Sequence, residues 1–163
     1  MLCRSVMSTR LLVHVDDDQD WAFLVERALL KSGLAGWSYK HLGSGTALMA
    51  YLARVLAGES ERPDLLVLDI RMPGMNGLEA LEWATGNLPE LPIVMLSSSE
   101  LLSDRLAARD LGSKGYFSKA AIFSEFLEFL RGWDETAFAV APAASRVREQ
   151  QPSHAEQRSR GQV

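Results

Sequence analysis

Apolar residues along this chain follow two alternating periods. Short continuous runs at Leu11–Val15, Leu65–Leu68, Ile93–Leu96 and Tyr116–Phe117 are each closed by polar or turn-forming residues. That is the pattern of strands buried on both faces of a parallel sheet. Trp37–Leu42 instead alternates Trp37 and Tyr39 with Ser38 and Lys40, as an edge strand does. Between these runs the spacing becomes helical. Residues 20–32 carry a stripe of Phe23, Leu24, Ala28 and Leu29 and stop at Gly33. Residues 46–56 repeat Leu48, Tyr51, Leu52, Val55 and Leu56. Further helices are predicted over 78–84 and over 100–111, the latter ended by Gly112. Residues 121–133 place Ile122, Phe126, Phe129, Leu130 and Trp133 on one face.

Strand and helix thus alternate five times, which predicts βαβ units with right-handed crossovers. The expected architecture is α/β: a doubly wound, five-stranded parallel sheet of flavodoxin-like order 2-1-3-4-5, with helices on both faces. One domain is expected over residues 10–135, between a disordered N-terminus (1–9) and a flexible C-terminal tail (136–163). From about Pro142 onward Pro, Ala, Ser, Gln and Arg dominate and apolar spacing disappears.

The chain of 163 residues is long enough for one domain with a real core and short for two. A net charge of -4 gives it no electrostatic reason to seek nucleic acid or an anionic membrane. The arginines of the tail (Arg146, Arg148, Arg158 and Arg160) are diluted by Glu149 and Glu156. Cys3 is the only cysteine, so an internal disulfide and a cysteine-built metal cluster are excluded. No stretch reads as a signal peptide or a membrane span, and a cytoplasmic location is expected.

Chemistry gathers where the strands end. The first strand runs into Asp16, Asp17 and Asp18, the third into Asp69, and the last through Ser118 into Lys119. In an open α/β sheet, ligands sit beyond the carboxyl ends of the strands, where strand order reverses. Two carboxylates about 4 Å apart repel by roughly 4 kcal/mol at an effective dielectric near 20. Three at one rim therefore call for a cation or raised pKa values. Mg²⁺ suits such a rim, because it takes one or two carboxylates together with waters and phosphate oxygens. Asp18 and Asp20 lie beyond the rim and are expected to cap the first helix. His14, inside an apolar strand, is expected to be a core histidine satisfied by hydrogen bonds.

The segment from Leu65, LLVLDIRMPGMNGLEAL, resembles the phosphoacceptor segment of the receiver domains of bacterial response regulators. The acidic pair after the first strand, the strand IVMLS and the late GYFSK occur in the same family in the same order. The resemblance covers roughly Arg10 to Trp133. It implies that Asp69 attacks a phosphohistidine on a sensor histidine kinase, or on a phosphotransfer protein, and becomes an aspartyl phosphate. It implies a Mg²⁺ ion held by Asp16, Asp17, Asp69 and the backbone carbonyl of Arg71. Lys119 would pair with the phosphoryl group, and Ser97 would move its hydroxyl onto it while Tyr116 turns inward. Ser98 and Ser99 follow directly, so the hydroxyl assignment can slip along the cluster. Arg71 and Ser99 occupy positions that tune dephosphorylation in this family. The chain departs from the family at Ala120, where proline usually follows the lysine; this leaves the Lys119–Ala120 bond cis or trans.

The expected function is a single-domain response regulator that is not an enzyme beyond slow self-dephosphorylation, with output by protein contact. The overall form is similar to stand-alone receivers that work with phytochrome-like kinases. A homodimer through the fourth helix, fifth strand and fifth helix is compatible with the apolar last helix. Two other readings stay open: a phosphorylation-independent, receiver-like adaptor, and a Mg²⁺-dependent phosphohydrolase using the same aspartate. The second lacks the usual D-x-D pattern, because Arg71 stands at its second position.

Overall fold

The computed structural model describes residues 9–34 and 36–140. Five parallel strands form the sheet: β1 (Arg10–Val15), β2 (Trp37–Leu42), β3 (Leu65–Leu68), β4 (Ile93–Ser97) and β5 (Gly115–Ser118). Their spatial order is β2-β1-β3-β4-β5, so the doubly wound arrangement and the edge position of β2 are as the pattern implied. The helices are α1 (Gln19–Lys31), α2 (Gly45–Leu56), α3 (Gly77–Asn87), α4 (Leu102–Asp110) and α5 (Leu127–Val140).

Alternation along the strands divides the core into two layers. Leu11, Val13, Val15, Leu66, Leu68, Ile93 and Met95 face α2, α3 and α4, packing on Leu48, Leu52, Leu81 and Ala108. Leu12, Leu65, Val67, Val94 and Leu96 face α1 and the last helix, packing on Val25, Leu29, Phe126 and Leu130. Each of these strand residues is essentially removed from water, and apolar surface so buried stabilises the fold by about 25 cal/mol per Å². A rigid sheet fixes where its strands end, and the site is built on those ends.

Four helices differ from the sequence expectation. In α1 the buried stripe is Ala22, Val25, Ala28 and Leu29, while Phe23 is 55% and Leu24 38% exposed. The phase is set by tertiary contacts: Val25, Ala28 and Leu29 pack into the sheet's core, and Tyr39 Oη donates to the Ala22 carbonyl. Leu56, expected in the α2 stripe, lies on the exposed side. The α4 helix starts two residues later than expected. The single last helix is instead a 3₁₀ turn (Lys119–Ala121), a π-helical turn (Ile122–Phe126) and then α5. The wider turn rotates the stripe, so Phe126, Leu127 and Leu130 are buried and Leu127 joins the core unforeseen. The side chain of Ile122 lies outside the described residues.

The α5 helix runs to Val140, inside the segment expected to be a tail. The remainder of that tail, and residues 1–8, lie outside the described residues. The Lys119–Ala120 peptide is trans. Among the described residues no helix is long and apolar enough to cross a membrane.

Candidate functional site

Strand register brings the acidic residues together. Val15 pairs with Leu68, so the next residues, Asp16 and Asp69, leave the sheet side by side. Backbone bonds continue past the strands: Asp69 N–H donates to the Val15 carbonyl (3.0 Å) and Asp16 N–H to the Leu42 carbonyl (3.1 Å). On the other side Ser97 pairs with Ser118, which places Ser97 and Lys119 at the same rim. Neighbouring parallel strands thus deliver four reactive side chains from four distant parts of the chain.

Beyond Asp69 the backbone folds into a two-stranded ribbon, Arg71–Met72 with Met75–Asn76, turned at Gly74 with φ +81°. Gly77 then approaches so closely that a Cβ there would lie 1.9 Å from the Asp69 carbonyl oxygen. Only glycine permits this approach. Its N–H donates to the Ile70 carbonyl at 2.8 Å, holding the loop after Asp69 tight against the start of α3.

Asp16, Asp17 and Asp69 each present a carboxylate oxygen within 4.8 Å of the others. Asp16 is fully buried, Asp69 nearly so, and Asp17 is exposed. Burial raises the pKa of Asp16, against the opposing pull of Lys119 and of the Asp18 N–H bonded to its Oδ1 at 2.9 Å. The Lys119 ammonium, itself buried, lies 2.7 Å from Asp16 Oδ2 and 3.0 Å from Asp69 Oδ2. Burial alone would lower its pKa, but the bonds to the two carboxylates outweigh it and raise the value. Two carboxylates and one ammonium leave excess negative charge before Asp17 is counted. Hard oxygen donors at this spacing fit a Mg²⁺ ion. Arg71 extends its side chain into solvent, while its N–H points at Asp69 Oδ1 at 3.4 Å.

Ser97 is buried at the end of β4, and its hydroxyl accepts from Ser99 N–H at 3.2 Å. Ser98 is exposed, so it is Ser97 that points into the protein, with Ser99 buried behind it. Tyr116 is half-buried: its hydroxyl donates to the Ser99 carbonyl at 2.8 Å, and Arg105 lies over its ring at 5.1 Å. Burial foremost raises its pKa. Asp18 caps α1 as expected, accepting from the N–H groups of Asp20 and Trp21.

Several participants were not foreseen. The Trp21 ring lies 5.5 Å from Lys119 Nζ and covers the ammonium with an apolar face. Behind Asp16, His41 Nε2 donates to its backbone carbonyl at 2.7 Å. His14 is fully buried, with Nδ1 2.9 Å from Tyr39 Oη and Nε2 3.6 Å from Asp16 Oδ2. Because Tyr39 Oη donates to Ala22, Nδ1 carries the imidazole proton and donates to Tyr39. The expected hydrogen-bonded core histidine is therefore satisfied at one nitrogen only; Nε2 has no hydrogen-bond partner. Burial, then the charges of His41 and Lys119, push the His14 pKa down from 6.5 to about 3. Sequence signals for these contacts are faint, since each joins residues from different elements.

A doubly wound sheet with buried aspartates, a lysine and a serine at one rim defines a receiver-type α/β domain. The family profile of the response regulator receiver domain matches residues 12–131, and the chain belongs to that family. It is 34% identical over 125 residues to the response regulator MprA of Mycobacterium tuberculosis, covering 77% of this chain and 50% of MprA. The chain thus spans about half the length of the curated relatives it matches. Among solved structures it resembles the phosphorylated cyanobacterial phytochrome response regulator RcpA, at a TM-score of 0.68 and 26% identity, covering 82% of this chain and 97% of that one. The Mn²⁺-bound response regulator Rcp1 shares the fold at a TM-score of 0.66 and 24% identity, covering 82% and 97%. Receiver domains work in two-component signalling, where they meet histidine kinases or phosphotransfer proteins.

Proposed function

We propose that this domain takes a phosphoryl group onto Asp69 from a sensor histidine kinase or phosphotransfer protein and signals through protein contacts. The observation that carries this reading is the Lys119 ammonium, held buried between the Asp16 and Asp69 carboxylates. In the transfer, an Asp69 oxygen forms a bond to phosphorus as the phosphorus–nitrogen bond of a phosphohistidine breaks. The bonding pair leaves on the imidazole, so the aspartyl phosphate and a free histidine account for all atoms. Such a transfer depends on positioning and on neutralising charge more than on covalent assistance. Asp16, Asp17, Asp69 and the Arg71 carbonyl would hold Mg²⁺, which would neutralise charge on the phosphoryl oxygens.

Lys119, released in part from Asp16, pairs with the incoming phosphoryl oxygens, and the Trp21 ring excludes water from that side. Ser97 donates its hydroxyl to the phosphoryl group, and Tyr116 follows the loop that begins after Ser97. Reversal is slow hydrolysis of the acyl phosphate, so the domain is a switch and not a turnover enzyme. Ala120 leaves the adaptor reading open, yet Lys119 reaches Asp69 through a trans bond with Ala120 in place. The likeness to RcpA supports a phytochrome-associated kinase as donor. Exposed Leu101, Leu102 and Leu106 on and beside α4 support a homodimer through α4, β5 and α5. Acetyl phosphate with Mg²⁺, followed by a phosphate-affinity gel, tests the reading. A stable shifted band absent from Asp69→Asn supports it. No band favours the adaptor, and continuous phosphate release favours the hydrolase.

A further inference from the structure

Ser99 ties three parts of the molecule together with three different atoms. Its N–H donates to the Ser97 hydroxyl at 3.2 Å, its carbonyl accepts from Tyr116 Oη at 2.8 Å, and its own hydroxyl donates to Asp104 Oδ2 on α4. The side chain is buried, although serine has no apolar surface to gain by it. Helix α4 needs this contact. Its N-cap is Leu101, which supplies no side-chain bond to the orphan amides of the first turn. Asp104, in the third helical position, reaches back past that cap to Ser99, in the manner of a displaced capping box. Ser99 Oγ also lies 3.5 Å from Leu101 N–H, at the limit of a bond. Arg105, the next residue, covers the Tyr116 ring.

We propose that Ser99 is a positioning residue that couples the Ser97 hydroxyl to helix α4 through its bond to Asp104, and so sets the cost of switching. This rests on Asp69 being the phosphoacceptor. When the Ser97 hydroxyl turns toward a phosphoryl group, Ser99 N–H loses its acceptor. Residues 98–101 then shift only if the Ser99–Asp104 bond yields with them. A bond between a neutral hydroxyl and a carboxylate is among the stronger hydrogen bonds, so it holds the unphosphorylated arrangement. A ligand that binds one of two arrangements must supply the difference between them. Weakening the clasp lowers that difference and tightens the ligand. This role is separate from any effect of Ser99 on water attack at the phosphate, because it is exerted on α4.

The test uses the full chain and beryllofluoride with Mg²⁺ as the probe, comparing wild type with Ser99→Ala, Asp104→Ala, the double variant and Asp104→Asn. Affinity and amide hydrogen exchange of residues 102–110 are read together. Ser99→Ala and Asp104→Ala are expected to bind beryllofluoride about five-fold tighter, equivalent to about 1 kcal/mol. The double variant should gain no more than either single one, since both remove the same bond. Asp104→Asn keeps an acceptor oxygen and should stay near wild type. Without the probe, α4 should exchange faster in Ser99→Ala, Asp104→Ala and the double variant, and not in Asp104→Asn. Unchanged affinities, additive gains, or an altered dephosphorylation half-life with unchanged α4 exchange would overturn the coupling while leaving the phosphoacceptor intact. Wild-type protein that neither binds beryllofluoride nor takes up acetyl phosphate overturns the phosphoacceptor reading and the coupling with it.

Discussion

His14 makes the stability of this domain depend on pH in a way that one substitution should remove. The imidazole is fully buried, and its pKa is pushed from 6.5 down to about 3. Above pH 6.5 the histidine is neutral in both the folded and unfolded chain and contributes no pH dependence. Below it the unfolded chain binds a proton that the folded domain excludes, and stability falls by about 1.4 kcal/mol per pH unit. The loss continues until the pH nears 3. Between pH 7 and pH 5 it amounts to about 2 kcal/mol, a large part of the 5–15 kcal/mol that holds a typical domain together. Asp16 works in the opposite direction, because its raised pKa lets the folded state hold a proton that the unfolded chain has released. Lys119 and the Asp18 N–H, which act on Asp16 most directly, stay in place in the variant, so the larger part of that contribution is common to both proteins. Urea denaturation of wild type and His14→Val at pH 7, 6 and 5 measures the difference. The variant has its own offset from the altered packing, but it should lose about 2 kcal/mol less than wild type between pH 7 and 5. Equal losses in the two proteins, within about 0.5 kcal/mol, would refute the claim that His14 is held neutral.

Two further outcomes follow from the site. Gly77→Ala would place a Cβ 1.9 Å from the Asp69 carbonyl oxygen, so thermal melts should show a loss of about 3 kcal/mol together with slower acetyl-phosphate labelling. Lys119→Met leaves the buried Asp16 carboxylate without its ion-pair partner, a change that costs about 3–5 kcal/mol when a buried pair is broken. Mg²⁺ should then raise the melting temperature of the variant more than that of wild type, and chelation should lower it more. Equal Mg²⁺ responses would count against a shared cation site.

Much of the site was legible because a parallel sheet obeys simple rules. Once Leu11–Val15 and Leu65–Leu68 are read as adjacent strands, Asp16 and Asp69 must emerge together, and Lys119 follows from the last strand by the same logic. The phase of α1 was misread because Phe23 and Leu24 are the more hydrophobic residues of that helix, yet Ala22 and Val25 face the sheet. Hydrophobicity ranks side chains, but packing of Val25 and Leu29 on the sheet and the Tyr39 bond to Ala22 decide the rotation. The turn of the last helix was missed for a related reason. Leu127 is buried only because the π-helical turn before it shifts the register.

Alternation of apolar runs with helical stripes by itself determined the α/β class, the parallel sheet and the carboxyl-end rim at which the carboxylates collect. These depend on local period and chain connectivity, which the order of residues carries directly. Tertiary structure alone decided which groups back that rim: Trp21 over Lys119, the His14–Tyr39 pair beneath Asp16, and Ser99 clasped to Asp104. Each joins elements whose relative rotation is set by packing, and packing sums many weak contacts that no short stretch of sequence encodes.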